Sequence, residues 1–165
     1  MLKKIAWAVA GLFVLIQLIR PDQKNPVVDS TVDFQNVANP PTEVLSILKD
    51  ACYDCHSFET KYPWYSKIAP VSRWLANHIA EGREHLNFSE FGKLGGEDLA
   101  DLMEEVPETV QEGEMPLPSY TWAGLHPKAN LSSTQRNVLI QWFNANGSGE
   151  RAGDRGEEGK GKAKD

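Results

Sequence analysis

The chain contains two cysteines, and both stand in Cys52-Tyr53-Asp54-Cys55-His56. C-x-x-C-H is the spacing of covalent haem attachment. Each thiol can add to one vinyl group of a porphyrin, giving two thioether bonds. The two-residue gap lets one helical turn present both sulfurs to one porphyrin edge. His56 follows at once, so its imidazole can take the proximal axial position on iron. Three other uses of the pair fit less well. A thioredoxin-type redox pair wants a βαβ context that the sequence does not show. A zinc site wants a second, separated ligand pair. A disulfide closing so short a loop would constrain the unfolded chain little. The spacing therefore predicts one covalent haem c, held by Cys52, Cys55 and His56.

The distal side has two candidates. Met115 sits in Glu114-Met115-Pro116-Leu117-Pro118, between Gly113 and two prolines, about sixty residues beyond His56. A thioether on a proline-stiffened loop is well placed to serve as sixth ligand, although methionine is most often a core gap-filler. Met103 falls on a helical apolar stripe and Met1 at the terminus, which leaves Met115 as the leading choice. His78 is the alternative. It lies with Val71, Trp74, Leu75 and Ile79 on one helical stripe, where a satisfied core histidine is the common reading. His85 lies near the end of the same helix and is expected to be partly exposed.

The elements that must position these groups read as helices. One should start near Pro41 or Thr42, with proline at its first position and Glu43 suited to the dipole. Its stripe Val44, Leu45, Leu48 and Cys52 runs into the haem motif. Tyr62-Pro63-Trp64-Tyr65 forms an aromatic cluster that either walls a porphyrin edge or packs between helices. A second helix spans about Val71 to Leu86, with Gly82 weakening it slightly. A third covers roughly Glu97 to Glu105, and Pro107 should kink or restart it. The last is the best marked. Ser132 and Gln135 match a capping box, Val138, Leu139, Trp142 and Phe143 form the stripe, and Asn146-Gly147 should end it. The first of these helices is its expected partner.

The ends differ in kind. Lys3 and Lys4 precede an apolar run from Ile5 to Ile19, broken only by Gln17 and closed by Arg20-Pro21. This is a secretory-signal layout without a small-x-small cleavage site. Residues 1–21 are therefore expected to form an uncleaved signal anchor, a single-pass transmembrane helix, with a cleaved signal peptide as the alternative. The run is short, since about 20 apolar residues are usual, and the flanking Lys and Arg could snorkel. Residues 22–40, with Pro26, Pro40 and Pro41, read as an extended linker. Residues 41–146 form the haem domain. Residues 147–165 lack large apolar side chains and are expected to be disordered.

Residues 22–146 hold 18 Asp and Glu against 9 Lys and Arg. That acidity argues against a nucleic-acid partner. Eight carboxylates, from Glu97 to Glu114, fall between Lys93 and Lys128 with no base among them. They form either a solvated helix face or a surface that steers a basic redox partner.

The order of a C-x-x-C-H after one helix, a Met-Pro loop, and a last helix packed on the first resembles class I cytochrome c. The longer run of motifs is more specific. Cys52-Tyr-Asp-Cys-His-Ser57, Tyr62-Pro-Trp-Tyr65, Ile68-Ala-Pro70, Trp74-Leu-Ala-Asn-His78, Glu81-Gly-Arg83, Leu86-Asn-Phe-Ser89 and Gly113-Glu-Met-Pro-Leu-Pro-Ser-Tyr120 are together similar to the bacterial haem-binding domain family, over about residues 40–146. The resemblance implies a covalent haem and an electron-transfer role in a small exported or membrane-anchored protein. It carries over Cys52, Cys55 and His56. Met115 follows only by analogy with cytochrome c, because His78 also lies in a matching segment.

These readings converge on an all-α, cytochrome c-like domain with an N-terminal anchor. The expected role is a monohaem cytochrome that carries single electrons and is not an enzyme. It would face the periplasm from the cytoplasmic membrane, since c-type thioethers are made outside the cytoplasm. A haem-based sensor with a labile distal site is the alternative. A peroxidase would need an open iron and a distal acid–base group, with His78 or His85 as the histidine candidates.

Overall fold

A computed structural model describes residues 1–154. Among them the regular structure is helical throughout, as the 3.6-residue patterns predict. The α-helices are α1 (Leu2–Ile16), α2 (Phe34–Val37), α3 (Thr42–Ala51), α4 (Tyr53–His56), α5 (Val71–His85), α6 (Gly96–Glu112), α7 (Pro118–Thr121) and α8 (Ser133–Asp154). Short 3-10 turns at Trp64–Lys67, Phe88–Lys93, Trp122–Gly124 and Pro127–Ala129 join them.

The capping box at the last helix forms as expected. The Gln135 N–H donates to Ser132 Oγ (3.2 Å), and the Ser132 N–H donates back to Gln135 Oε1 (2.9 Å). Two helix ends differ from expectation. α6 runs through Pro107, which lies buried on it beside Leu102, Met103 and Val110. Packing of this apolar face outweighs the one hydrogen bond that proline removes. α8 passes straight through Gly147. A Cβ there would stand 3.0 Å from Met103 Cβ, so this glycine serves a close crossing of α8 on α6, not a helix stop. Accordingly α8 packs mainly along α6 and only to a lesser extent on α3. The cytochrome c-like pairing of first and last domain helices is therefore a minor contact. Of the expected disordered tail, residues 147–154 continue α8, and 155–165 lie outside the described residues.

The N-terminal elements also depart from the sequence reading. α1 has 15 residues, none buried, and stops at Ile16. Among the described residues no helix is long and apolar enough to cross a membrane, so the transmembrane helix expected over residues 1–21 does not form at that length. Gln17 ends it, turning its side chain onto Phe13 O and onto the backbone of Ala69.

The segment read as a linker, 22–40, is in large part built into the domain. Asp33 caps α2 by accepting from the Gln35 N–H (3.1 Å). Phe34 is wholly buried. Its ring meets Phe88, Phe91 and Trp142 edge-on at centroid distances of 5.1, 4.8 and 5.5 Å. Asn25 donates to Thr60 O (2.9 Å), and the Gly92 N–H donates to Val32 O (2.8 Å). Alternation of polar residues and prolines hid this, because one aromatic ring carries most of the anchoring.

Replacing Phe34 with Ala should destabilise the domain by about 3–5 kcal/mol through the lost burial and the cavity left behind. A urea titration followed by circular dichroism reads this. A loss under 1 kcal/mol would return the segment to a tether.

Candidate haem site

The haem motif is held by both ends of its own spacer. Cys52 breaks the helical path between α3 and α4 with φ −119° and ψ −39°. Its carbonyl then accepts from the N–H groups of Cys55 (3.1 Å) and His56 (2.9 Å), which forms the single turn of α4. The two residues between the cysteines are not filler. Tyr53 is buried and stacks on Phe88 (4.9 Å, 11°). Asp54 accepts from the Lys61 N–H (2.8 Å) through one oxygen and from Tyr120 OH (2.6 Å) through the other. One spacer residue thus ties the turn to the core, and the other ties it to the loop that follows Met115.

Helix α5 lies against this turn at Gly82. A Cβ at Gly82 would sit 3.1 Å from Cys55 O and 3.4 Å from Cys55 Cβ. The close approach brings the end of α5 to His56. The His56 ring meets Leu86 O through Nδ1 at 3.1 Å. With Nδ1–H donating to that carbonyl, Nε2 keeps its lone pair free. Burial lowers the His56 pKa below the usual histidine range, partly offset by hydrogen bonding to the Leu86 and Gly82 carbonyls and reinforced by His85. A neutral imidazole is the form that binds a metal.

The two thiols are free and half-buried. Enclosure pushes Cys52 up to about 12, with Cys55 adding to it. Cys55 is pushed up to about 11, chiefly by burial and then by Asp54, against the opposing pull of Arg83. Thiols so protonated are poor partners for disulfide exchange, which needs thiolate. Among the described residues, no group of three or more His, Cys, Asp or Glu is gathered as a lone metal ion would require.

Met115 reaches the same place from another direction. α6 ends at Gly113, whose φ of +80° is the left-handed conformation that glycine takes without strain. The chain then doubles back so that the Met115 N–H donates to Thr109 O (3.2 Å). Arg136 of α8 donates through Nη1 to Val110 O (2.7 Å) and to Met115 O (3.4 Å), which pins the loop to two helices.

These groups line one cavity of about 420 Å³. Cys52, Cys55, His56 and Met115 are on its wall, as are His78 and His85. Leu48, Leu86, Phe88, Leu102, Val106 and Leu139 give it an apolar lining. That volume falls within the roughly 300–1,000 Å³ common for cofactor sites. Two protonated thiols, a neutral imidazole with a free Nε2 and a thioether in an apolar cleft fit a haem.

His78 is half-buried, with Nδ1 3.0 Å from Trp74 O and its ring against Trp74 (4.2 Å). It rides on α5, the helix that supports the His56 ring. The aromatic cluster Tyr62, Trp64 and Tyr65 does not line the cavity; Trp64 is 72 % exposed. Tyr120 takes its place on the wall. Tyr120 stacks on His126 (3.8 Å), and His126 Nε2 lies 2.5 Å from Tyr65 OH. Sequence reasoning did not single out Arg136 or His126, and it gave Leu86 and Gly82 no role in the site beyond the family motifs and a slight weakening of the helix. Gly82 within a strong helical stripe was a visible signal, since a glycine there often marks close packing.

Gly82→Val should cost about 1–3 kcal/mol, because the added atoms meet backbone at Cys55. It should also lower the yield of haem-loaded protein. Denaturation midpoints and the ratio of Soret to protein absorbance measure the two effects. An unchanged value for both would remove the close crossing from the site.

The family model for a haem-binding domain matches residues 11–145, a span that includes both thiols, His56, His78 and Met115. No curated protein and no solved structure matches the chain.

Proposed function

This chain belongs to the haem-binding domain family, and from that premise we propose that it is a monohaem c-type cytochrome that carries single electrons outside the cytoplasm. The carrying observation is the convergence of Cys52, Cys55, His56 and Met115 on one apolar cavity. Cys52 and Cys55 would hold the haem by thioethers, and His56 would supply the proximal nitrogen through Nε2. Met115 would supply the distal sulfur. Haem bound there contributes an iron that alternates between ferrous and ferric states. The apolar lining excludes water, and thioether ligation favours the ferrous form and so a higher potential.

The choice of Met115 over His78 rests on their supports. His78 lies on α5, whose C-cap Leu86 carries the carbonyl that orients His56, whereas Met115 comes from the separate α6–α7 connection and is fixed by Arg136. With the imidazole and the thioether both committed to the iron, these residues would serve a carrier better than an enzyme. Glu97, Asp98, Asp101, Glu104, Glu105, Glu108, Glu112 and Glu114 are all exposed, and Glu105 and Glu114 line the cavity. A basic redox protein is the partner that such a surface would steer toward the site. The apolar N-terminal segment would hold the domain at the cytoplasmic membrane, facing the periplasm.

Haem should survive denaturing electrophoresis in the wild type and be lost when Cys52 and Cys55 are both changed to Ser. Colourless wild-type bands from cells with intact maturation machinery would refute covalent attachment. Met115→Ala should abolish the sulfur–iron charge-transfer band of the ferric protein, lower its potential, and let the ferrous form bind carbon monoxide that the wild type resists. An unaltered spectrum would transfer the distal role to His78. Rapid carbon monoxide binding by the wild type would favour a sensor over a carrier.

A further inference from the structure

Gln17 is the one polar residue in the N-terminal apolar run, and its side chain is used three times. Nε2 donates to Phe13 O (3.1 Å) and to Ala69 O (3.1 Å), and Oε1 accepts from the Ala69 N–H (2.9 Å). Gln23 donates to Ser66 O a few residues later. The foot of α1 is thereby fixed to the turn that leads into α5.

Around that turn several large apolar side chains stand out of the domain. Trp64 is 72 % exposed, Ile68 39 %, Val71 40 % and Trp74 44 %. The charge there also runs against the acidic average of residues 22–146. From Lys61 to Ala80 there are three bases (Lys61, Lys67, Arg73) and no carboxylate, although acids outnumber bases two to one in residues 22–146. Lys67 and Arg73 are exposed among the apolar residues. Tryptophan beside basic residues suits the headgroup layer of a bilayer, where the ring sits at the interface and the cation meets lipid phosphate.

We propose that Trp64, Ile68, Val71 and Trp74 seat the domain in the headgroup layer of an anionic phospholipid bilayer, with Lys67 and Arg73 on the phosphates and Gln17 fixing the pose. This rests on reading α1 as embedded in the membrane. The length of α1 supports the seating. Fifteen residues rise only about 22 Å, against a hydrocarbon core of about 30 Å. A short helix clamped to a domain draws that domain down to the interface, where flanking residues make up the mismatch. A free tether would do neither.

The test uses the full chain in nanodiscs of phosphatidylcholine, with or without phosphatidylglycerol. A water-soluble amine reagent is applied, and mass spectrometry reads the modification of Lys67 relative to Lys128, whose side chain is 75 % exposed. The ratio should fall at least fivefold when phosphatidylglycerol is present. Gln17→Ala and, separately, the surface change Trp64→Ser should return it to within twofold of the phosphatidylcholine value. A ratio that is the same with both lipids, in a chain that co-purifies with the discs, overturns the seating and leaves the anchor intact. A chain that does not co-purify with the discs overturns the anchor, and the seating with it.

Discussion

The close crossing of α5 on the C-x-x-C-H turn governs the rest of the site. Gly82 places no atoms between the helix and the Cys55 backbone. That lets the helix end reach His56 with the Leu86 carbonyl. The hydrogen bond selects the tautomer with its proton on Nδ1, and that tautomer keeps the lone pair on Nε2. A residue without a side chain, a backbone oxygen and an imidazole thus form one geometric unit. Arg83, next to Gly82, strengthens the same crossing by donating to Ser57 O (2.8 Å) and Thr60 Oγ1 (2.9 Å) while lying over the Phe58 ring.

Behind that unit stands an aromatic core assembled from distant parts of the chain. Phe34, Tyr53, Phe88, Phe91, Trp142 and Phe143 pack as edge-on and stacked pairs. Such pairs contribute about 0.5–1.5 kcal/mol each beyond their buried area. Because Tyr53 sits inside the haem motif, this core supports the turn directly. α6 and α8, crossing closely at Gly147 and Met103, supply the opposite wall.

The helices and the chemistry of the site were legible in the sequence to different degrees. α3, α5 and the start of α8 follow their apolar periods and caps to within a residue or so. Cys52, Cys55, His56 and Met115 were found by spacing and by flanking prolines, and all four meet on one cavity. What escaped were features of tertiary contact. Gly147 resembles a helix stop until Met103 is seen against it, and Pro107 resembles a break until its buried face is seen. Phe34 lies among polar residues and prolines, so no period marks it. Carbonyl partners such as Leu86 O carry no side-chain signature at all. Arg136 looked like any surface base on the last helix.

The hydrogen bond from Tyr120 to Asp54 joins the two jaws of the cleft without using His56 or Met115. Asp54 belongs to the C-x-x-C-H turn, and Tyr120 to the helix just beyond the methionine loop. A latch of this kind separates the shape of the pocket from the position of the methionine side chain on its wall. The Met115 side chain could move while the jaws stayed shut. A change at that wall would then leave the outer surface around the cleft as it was.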